Sequence, residues 1–187
     1  HGGMAVDKAR NRHITLPSQN AWWINGANFA LTLDGTKAAT ANIGSLNTAN
    51  SEDYLIEAWF KANTSQSGAV SVLGTQAMDL RLNTSGKMEF EALGQTTTVN
   101  DKNFRDGQWH HVAVSVLKST NGNGSIYIAG QLSKQIAASG MPLLYGSKLM
   151  LGSHQVEGTT HYDQMLKGAL DEVRIWKGRR TADVISN

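Results

Sequence analysis

Residues 106–116 read Asp-Gly-Gln-Trp-His-His-Val-Ala-Val-Ser-Val, a turn signal running into a β-branched segment. Successive strand residues point to opposite faces, so His110, Val112, Val114 and Val116 share one side, and Trp109, His111, Ala113 and Ser115 the other. The valine side predicts a strand facing a core. The same alternation recurs along the chain. Phe29, Leu31 and Leu33 alternate with Ala30, Thr32 and Asp34 before an Asp34-Gly35 turn. Tyr54, Ile56, Ala58 and Phe60 form a core side against Leu55, Glu57, Trp59 and Lys61. Val70 and Val72 mark a short strand. Met78, Leu80 and Leu82 alternate with Asp79 and Arg81, and across the Asn83-Thr84-Ser85-Gly86 turn Met88, Phe90 and Ala92 alternate with Glu89 and Glu91, which predicts a hairpin. Further strands are expected at 96–99, at 126–128 after Asn121-Gly122-Asn123-Gly124, at 149–151 and at 168–176, with a short helical turn from Thr181.

The composition agrees with a turn-rich β protein. Only 17% of the 187 residues are charged, and Gly, Ser, Thr and Asn fill the spaces between apolar runs. This length suits one domain with a two-layer core. The formal net charge is +2 and no basic run exceeds Arg179-Arg180, so nucleic acid is not an expected partner. The chain has no cysteine, which removes a disulfide framework and a thiol nucleophile and fits a bacterial surface protein. No apolar stretch approaches the roughly 18 residues that cross a bilayer, so membrane insertion is not expected. His1-Gly2-Gly3 reads as a tag remnant, residues 4–28 as a lead-in, and the abrupt end at Ile185-Ser186-Asn187 as the cut of a domain from a longer polypeptide.

Four segments, YLIEAWFK at 54–61, DGQWHHVAVS at 106–115, SIYIAGQ at 125–131 and LKGALDEVRIWKGRRT at 166–181, resemble in order the signature segments of the laminin-G-like, concanavalin A-like jelly-roll family. The resemblance implies an all-β fold, a β-sandwich jelly roll of two antiparallel sheets, with residues 29–187 as the domain and 1–28 as tag remnant and lead-in. This fold hosts lectins, enzymes and passive spacers. The expected function is a non-catalytic, monomeric, extracellular recognition module, carbohydrate-binding, within a larger bacterial surface or secreted protein. A structural or adhesive spacer binding protein or nothing is the second reading, and a divergent glycoside hydrolase the third. The family's aspartate-rich segment after the Asp-Gly turn is replaced here by Thr36-Lys37-Ala38-Ala39-Thr40, and its later Asp-Gly turn by Ala129-Gly130, so ligands from those positions do not carry over.

Asp171 draws attention because the alternation of residues 170–175 places it inward with Val173 and Ile175, and an inward carboxylate needs N–H donors or a cation. The resemblance implies calcium at this strand, with Asp34 as a second ligand. A hydrogen-bonded structural aspartate is the other reading. His110 and His111 face opposite ways and so read as packing or hydrogen-bonding residues rather than a metal pair. Trp59, Trp109 and Trp176 read as packing residues. The neighbours Trp22 and Trp23 offer either a stacking platform for a sugar ring or edge-strand packing. The polar loop 153–165 supplies the expected rim of a glycan site, with Tyr162 to stack and His154, Gln155, Glu157, His161 and Asp163 to hydrogen-bond. Its alternative is an ordinary solvated loop. No strand carries two glutamates flanking an aspartate on one face, and no Gly-x-Ser-x-Gly elbow occurs, so no enzyme activity is expected.

Overall fold

The computed structural model describes residues 4–6, 13–15, 22–25, 28–42, 53–75, 78–117, 123–137, 148–156, 162–178 and 185. The strands among them are β1 (Met4–Val6), β2 (His13–Thr15), β3 (Trp22–Asn25), β4 (Asn28–Asp34), β5 (Ala39–Asn42), β6 (Tyr54–Ala62), β7 (Val70–Gly74), β8 (Met78–Leu82), β9 (Lys87–Ala92), β10 (Gln95–Asn103), β11 (His110–Val116), β12 (Gly124–Ile128), β13 (Gln131–Ile136), β14 (Lys148–Leu151), β15 (His154–Gln155), β16 (Tyr162–Asp163) and β17 (Lys167–Lys177). One sheet runs β1-β2-β5-β14-β7-β8-β9-β10, the other β13-β12-β11-β6-β17-β4-β3, and β15 and β16 form a small hairpin of their own. All the pairings are antiparallel, so the jelly-roll expectation holds.

The two sheets bury their alternating apolar faces against each other. Leu31 and Leu33 of β4, Tyr54, Ile56, Ala58 and Phe60 of β6, and Val112, Val114 and Val116 of β11 come from one side. Val70 and Val72 of β7, Met78, Leu80 and Leu82 of β8, and Met88 and Phe90 of β9 come from the other. The core sets read from the sequence for these strands are in place, apart from Phe29 of β4, whose side chain lies outside the described residues. At about 25 cal/mol per Å² of apolar surface removed from water, this shared layer is the main force holding the sheets together.

The lead-in contributes more than expected. Its β3 pairs with β4, and its β1 and β2 extend the other sheet through β5, so it supplies strands to both layers. Strands β5 and β13 were also not evident from alternation. On the far side the two sheets are stitched at their last strands. Asn100 Nδ2 on β10 donates to Ser133 Oγ on β13 at 3.2 Å, and Ser133 Oγ donates to the Val99 carbonyl at 3.0 Å.

Glycine is required where strands meet closely. A Cβ on Gly168 would run into the Lys61 carbonyl of β6, and Gly152, at φ +64, has no room for one beside Leu33.

Candidate functional site

The outward face of the eight-stranded sheet carries a polar tract built from strand alternation. Leu80 and Leu82 point into the core, so Asp79 and Arg81 point out, and on β9 Met88 and Phe90 turn Glu89 and Glu91 out. The hairpin register sets Asp79 opposite Glu91 and Arg81 opposite Glu89. β10 adds Thr96 opposite Glu91 and Thr98 opposite Glu89, and β7 adds Gly74 opposite Asp79 and Ser71 opposite Arg81. One polar row, Ser71-Arg81-Glu89-Thr98, thus crosses four strands, and a second, Asp79-Glu91-Thr96, crosses three.

Arg81 organises these rows. Its Nε lies 3.3 Å from Glu89 Oε2, its Nη1 is ion-paired with Glu91 Oε2, and its Nη2 donates to Thr96 Oγ1 at 3.3 Å. Asn83 Nδ2 donates to the other oxygen of Glu89 at 2.8 Å. Asp79 sits deeper, only 3% exposed. Its Oδ1 accepts a 2.5 Å hydrogen bond from Ser71 Oγ, whereas Oδ2 has no hydrogen-bond partner among the described residues. Burial pushes the Asp79 carboxyl up to about 6, against the opposing effects of the Ser71 bond and of His154 and Arg81 nearby. Ser153 Oγ, on a fully buried residue, and Gln164 Oε1 are likewise without a partner among the described residues. Both residues adjoin β7: the Gln164 carbonyl accepts from Ser71 N–H at 2.8 Å, and Gly152 N–H, next to Ser153, donates to the Val72 carbonyl at 2.9 Å.

The hairpin β15–β16 stands beside this tract. What reads as an unbroken loop in the sequence pairs His154 with Asp163 and Gln155 with Tyr162. His154 Nδ1 is 2.8 Å from Asp163 Oδ1. The structure therefore joins two members of the expected rim, and the pleat turns Tyr162 and Gln155 to the opposite side of the hairpin from His154 and Asp163. Glu157 and His161 lie outside the described residues. For Trp22 and Trp23 only the backbone is described; it places them on β3 opposite Leu31 and Ala30.

Asp34 and Asp171 are not brought together. In the register of β4 and β17, Asp34 stands opposite Lys167 and Leu31 opposite Leu170, so the two aspartates lie about four residues, or roughly 13 Å, apart along the strands. Asp34 is exposed and accepts from Thr36 Oγ1 at 2.7 Å and Thr36 N–H at 2.8 Å, bonds that hold its carboxyl below the usual carboxylate range. Asp171 faces outward, which corrects the inward placement. It stands opposite the outward Trp59, while Leu170 opposite Phe60 faces the core. The cause is a bulge. Glu172 takes φ +51, and the register jumps from Asp171↔Trp59 to Arg174↔Glu57, which returns Val173 and Ile175 to the core side. Asp171 Oδ1 accepts the Glu172 N–H at 2.8 Å. The pair Asp34 and Asp171 does not fit one cation, and among the described residues no three His, Asp or Glu side chains cluster as metal ligands.

His110 and His111 do face opposite ways. His110 Nε2 is 2.8 Å from Asp106 Oδ1, and its ring packs on Phe60 and Phe104. His111 lies against Trp59, ring centroids 5.3 Å apart, with Nε2 3.3 Å from Glu57 Oε2. Trp176 Nε1 also donates to Glu57. Trp59 itself is 39% exposed on the outer face of its sheet.

Residues 33–186 match the sequence model of the concanavalin A-like lectin/glucanases superfamily. The chain belongs to that superfamily. No curated protein matches by sequence. Among solved structures, this superfamily member is similar to the binding domain of Paraclostridial Mosquitocidal Protein 1, with TM-score 0.70 and 12% identity over 99% of this chain and 50% of that one. It is similar to the Trypanosoma rangeli sialidase, with TM-score 0.68 and 14% identity over 100% of this chain and 30% of that one. It also resembles domain 4 of an extracellular arabinanase from Geobacillus stearothermophilus, solved with arabinotriose, with TM-score 0.63 and 20% identity over 99% of this chain and 86% of that domain. The chain thus spans about half or less of the first two. At these identities the likeness is one of fold.

Asp79, Arg81, Glu89 and Glu91 do not stand out together in the sequence. Their signal was present in the alternation of β8 and β9, but it becomes a site only when the turn at residues 83–86 sets Arg81 against Glu89 and Asp79 against Glu91.

Proposed function

We propose that the chain is a non-catalytic carbohydrate-binding module of a larger extracellular protein, and that its ligand lies along the outward side chains of β8 to β10, from Arg81 across Glu89 and Glu91 to Thr96. The observation that carries this reading is the fixed polar array in which Arg81 is held by Glu89, Glu91 and Thr96, with the buried Asp79 beside it. Rigid strands holding alternating donors and acceptors are what saccharide hydroxyls require. The arabinanase domain solved with arabinotriose supports the reading by fold.

The same geometry argues against hydrolysis. Glycoside cleavage needs one carboxyl to donate a proton while its partner acts as base or nucleophile. Here Arg81 occupies an oxygen of each glutamate and stands between them. The exposed Trp59 on the other sheet favours a second reading, an adhesive module that docks protein through that face.

The test is a glycan array probed with the wild-type chain and with Arg81→Ala. Discrete saccharide signals that fall at least tenfold in the variant, with the fold intact by circular dichroism, support the proposal. Absence of any signal, or signals unchanged in Arg81→Ala, overturns it.

A further inference from the structure

The charge of this tract differs from that of the chain that carries it. The chain is formally +2, yet Asp79, Glu89, Glu91 and Asp163 gather here against the one guanidinium of Arg81 and the His154 imidazole. Their row neighbours Ser71, Thr96 and Thr98 carry no charge. Lys87 at the lower end is matched by Asp101 at 2.9 Å, and Lys148 on β14 is separated from Asp79 by β7.

Resting on the saccharide reading above, we infer that the tract selects glycans that are uncharged or amino-bearing and rejects those carrying carboxylate or sulfate. Arg81 is the group that would pair with an anionic sugar, and both of its carboxylate-facing edges are already taken by Glu89 and Glu91. Asp79 stands beside Glu91 on the adjacent strand, buried and poorly screened, with Ser71 as the donor to Oδ1 and, among the described residues, none to Oδ2. Its charge adds to that of Glu91 at this end of the tract. An approaching carboxylate meets like charges with, among the described residues, no free cation to compensate them, whereas hydroxyl and ammonium donors meet acceptors.

The test is an array that includes glucosamine oligomers, neutral oligosaccharides, and sialylated, uronic and sulfated glycans, followed by calorimetry with a glucosamine trimer and a galacturonic acid trimer. The expected result is a set of hits confined to neutral and amino-bearing glycans, with the galacturonic acid trimer bound at least tenfold more weakly than the glucosamine trimer. The double change Glu89→Gln with Glu91→Gln keeps the side-chain shapes and frees Arg81, so it should admit acidic glycans. Hits dominated by acidic glycans, or a selectivity unaltered by the double change, overturn the inference and leave saccharide binding standing. An array with no hits removes saccharide binding itself, and the inference with it.

Discussion

Trp176 Nε1 on β17 donates a 2.8 Å hydrogen bond to Glu57 Oε1 on β6, reaching a carboxylate that also faces His111 on the opposite neighbouring strand, β11. Glu57 thereby ties three adjacent strands at the middle of the seven-stranded sheet. Burial opposes its charge, but the bonds from His111 and Trp176 outweigh that and hold its carboxyl below the ordinary 4.5. A depressed native value contributes stability that is present above the unfolded value and is lost as pH falls through the native one. Glu57→Gln is expected to cost about 2 kcal/mol at pH 7, in the range of hydrogen bonds to charged groups. The gap between wild type and variant should narrow below about pH 4.5, which urea unfolding at several pH values will show.

Asp79 has the opposite sign. Because burial raises its carboxyl from 3.8 to about 6, the native chain holds that proton more tightly than the unfolded chain. The stabilisation from Asp79 is complete below about pH 4 and is lost as pH rises through about 6. Asp79→Asn should therefore raise the melting temperature at pH 7 and flatten its dependence between pH 4 and 6. A variant that melts lower at pH 7 would show that the charged form is the favoured one.

The hairpin separates two residues that a loop would have pooled. His154→Ala removes the side chain held by Asp163 beside Asp79, whereas Tyr162→Ala acts on the other side of the hairpin. Glycan affinity measured by calorimetry is expected to fall at least fivefold in the first and to change less than twofold in the second.

Backbone geometry supplies the fourth expectation. Glu172 occupies φ +51 on the exposed edge of the bulge, so Glu172→Gly relieves about 1 kcal/mol of left-handed strain. It also loses the ion pair to Arg174, a surface pair whose contribution is smaller. Gly168→Ala drives a methyl into the Lys61 carbonyl of β6 and should cost more than 3 kcal/mol or prevent folding. Thermal melts of the two variants should move in opposite directions.

The legible part of this fold is the part governed by period-two alternation. Strands β4, β6, β8, β9 and β11 announce their buried faces because apolar and polar residues take turns along them. The Asp34-Gly35 turn was legible for a related reason, since φ +82 there needs glycine. Asp171 was misplaced because the bulge is formed by Glu172, a residue with no intrinsic preference for φ > 0, and nothing local marks the slip of register. Strands β1, β2, β5 and β13 are short or polar and form because a neighbour offers hydrogen bonds. The polar tract depended on cross-strand partners, so its residues were visible one by one but their assembly was not.

The bonds from Asn100 to Ser133 and from Ser133 to Val99 have a consequence for self-association. They link the outermost strand of each sheet to the other, which hinders the approach of an added strand at that point of the flank. The opposite flank ends in β3 on one sheet and β1 on the other. Polymerisation by edge pairing is thereby directed to the flank built from the first twenty-five residues, and trimming those residues would uncover β4 and β5 as fresh templates.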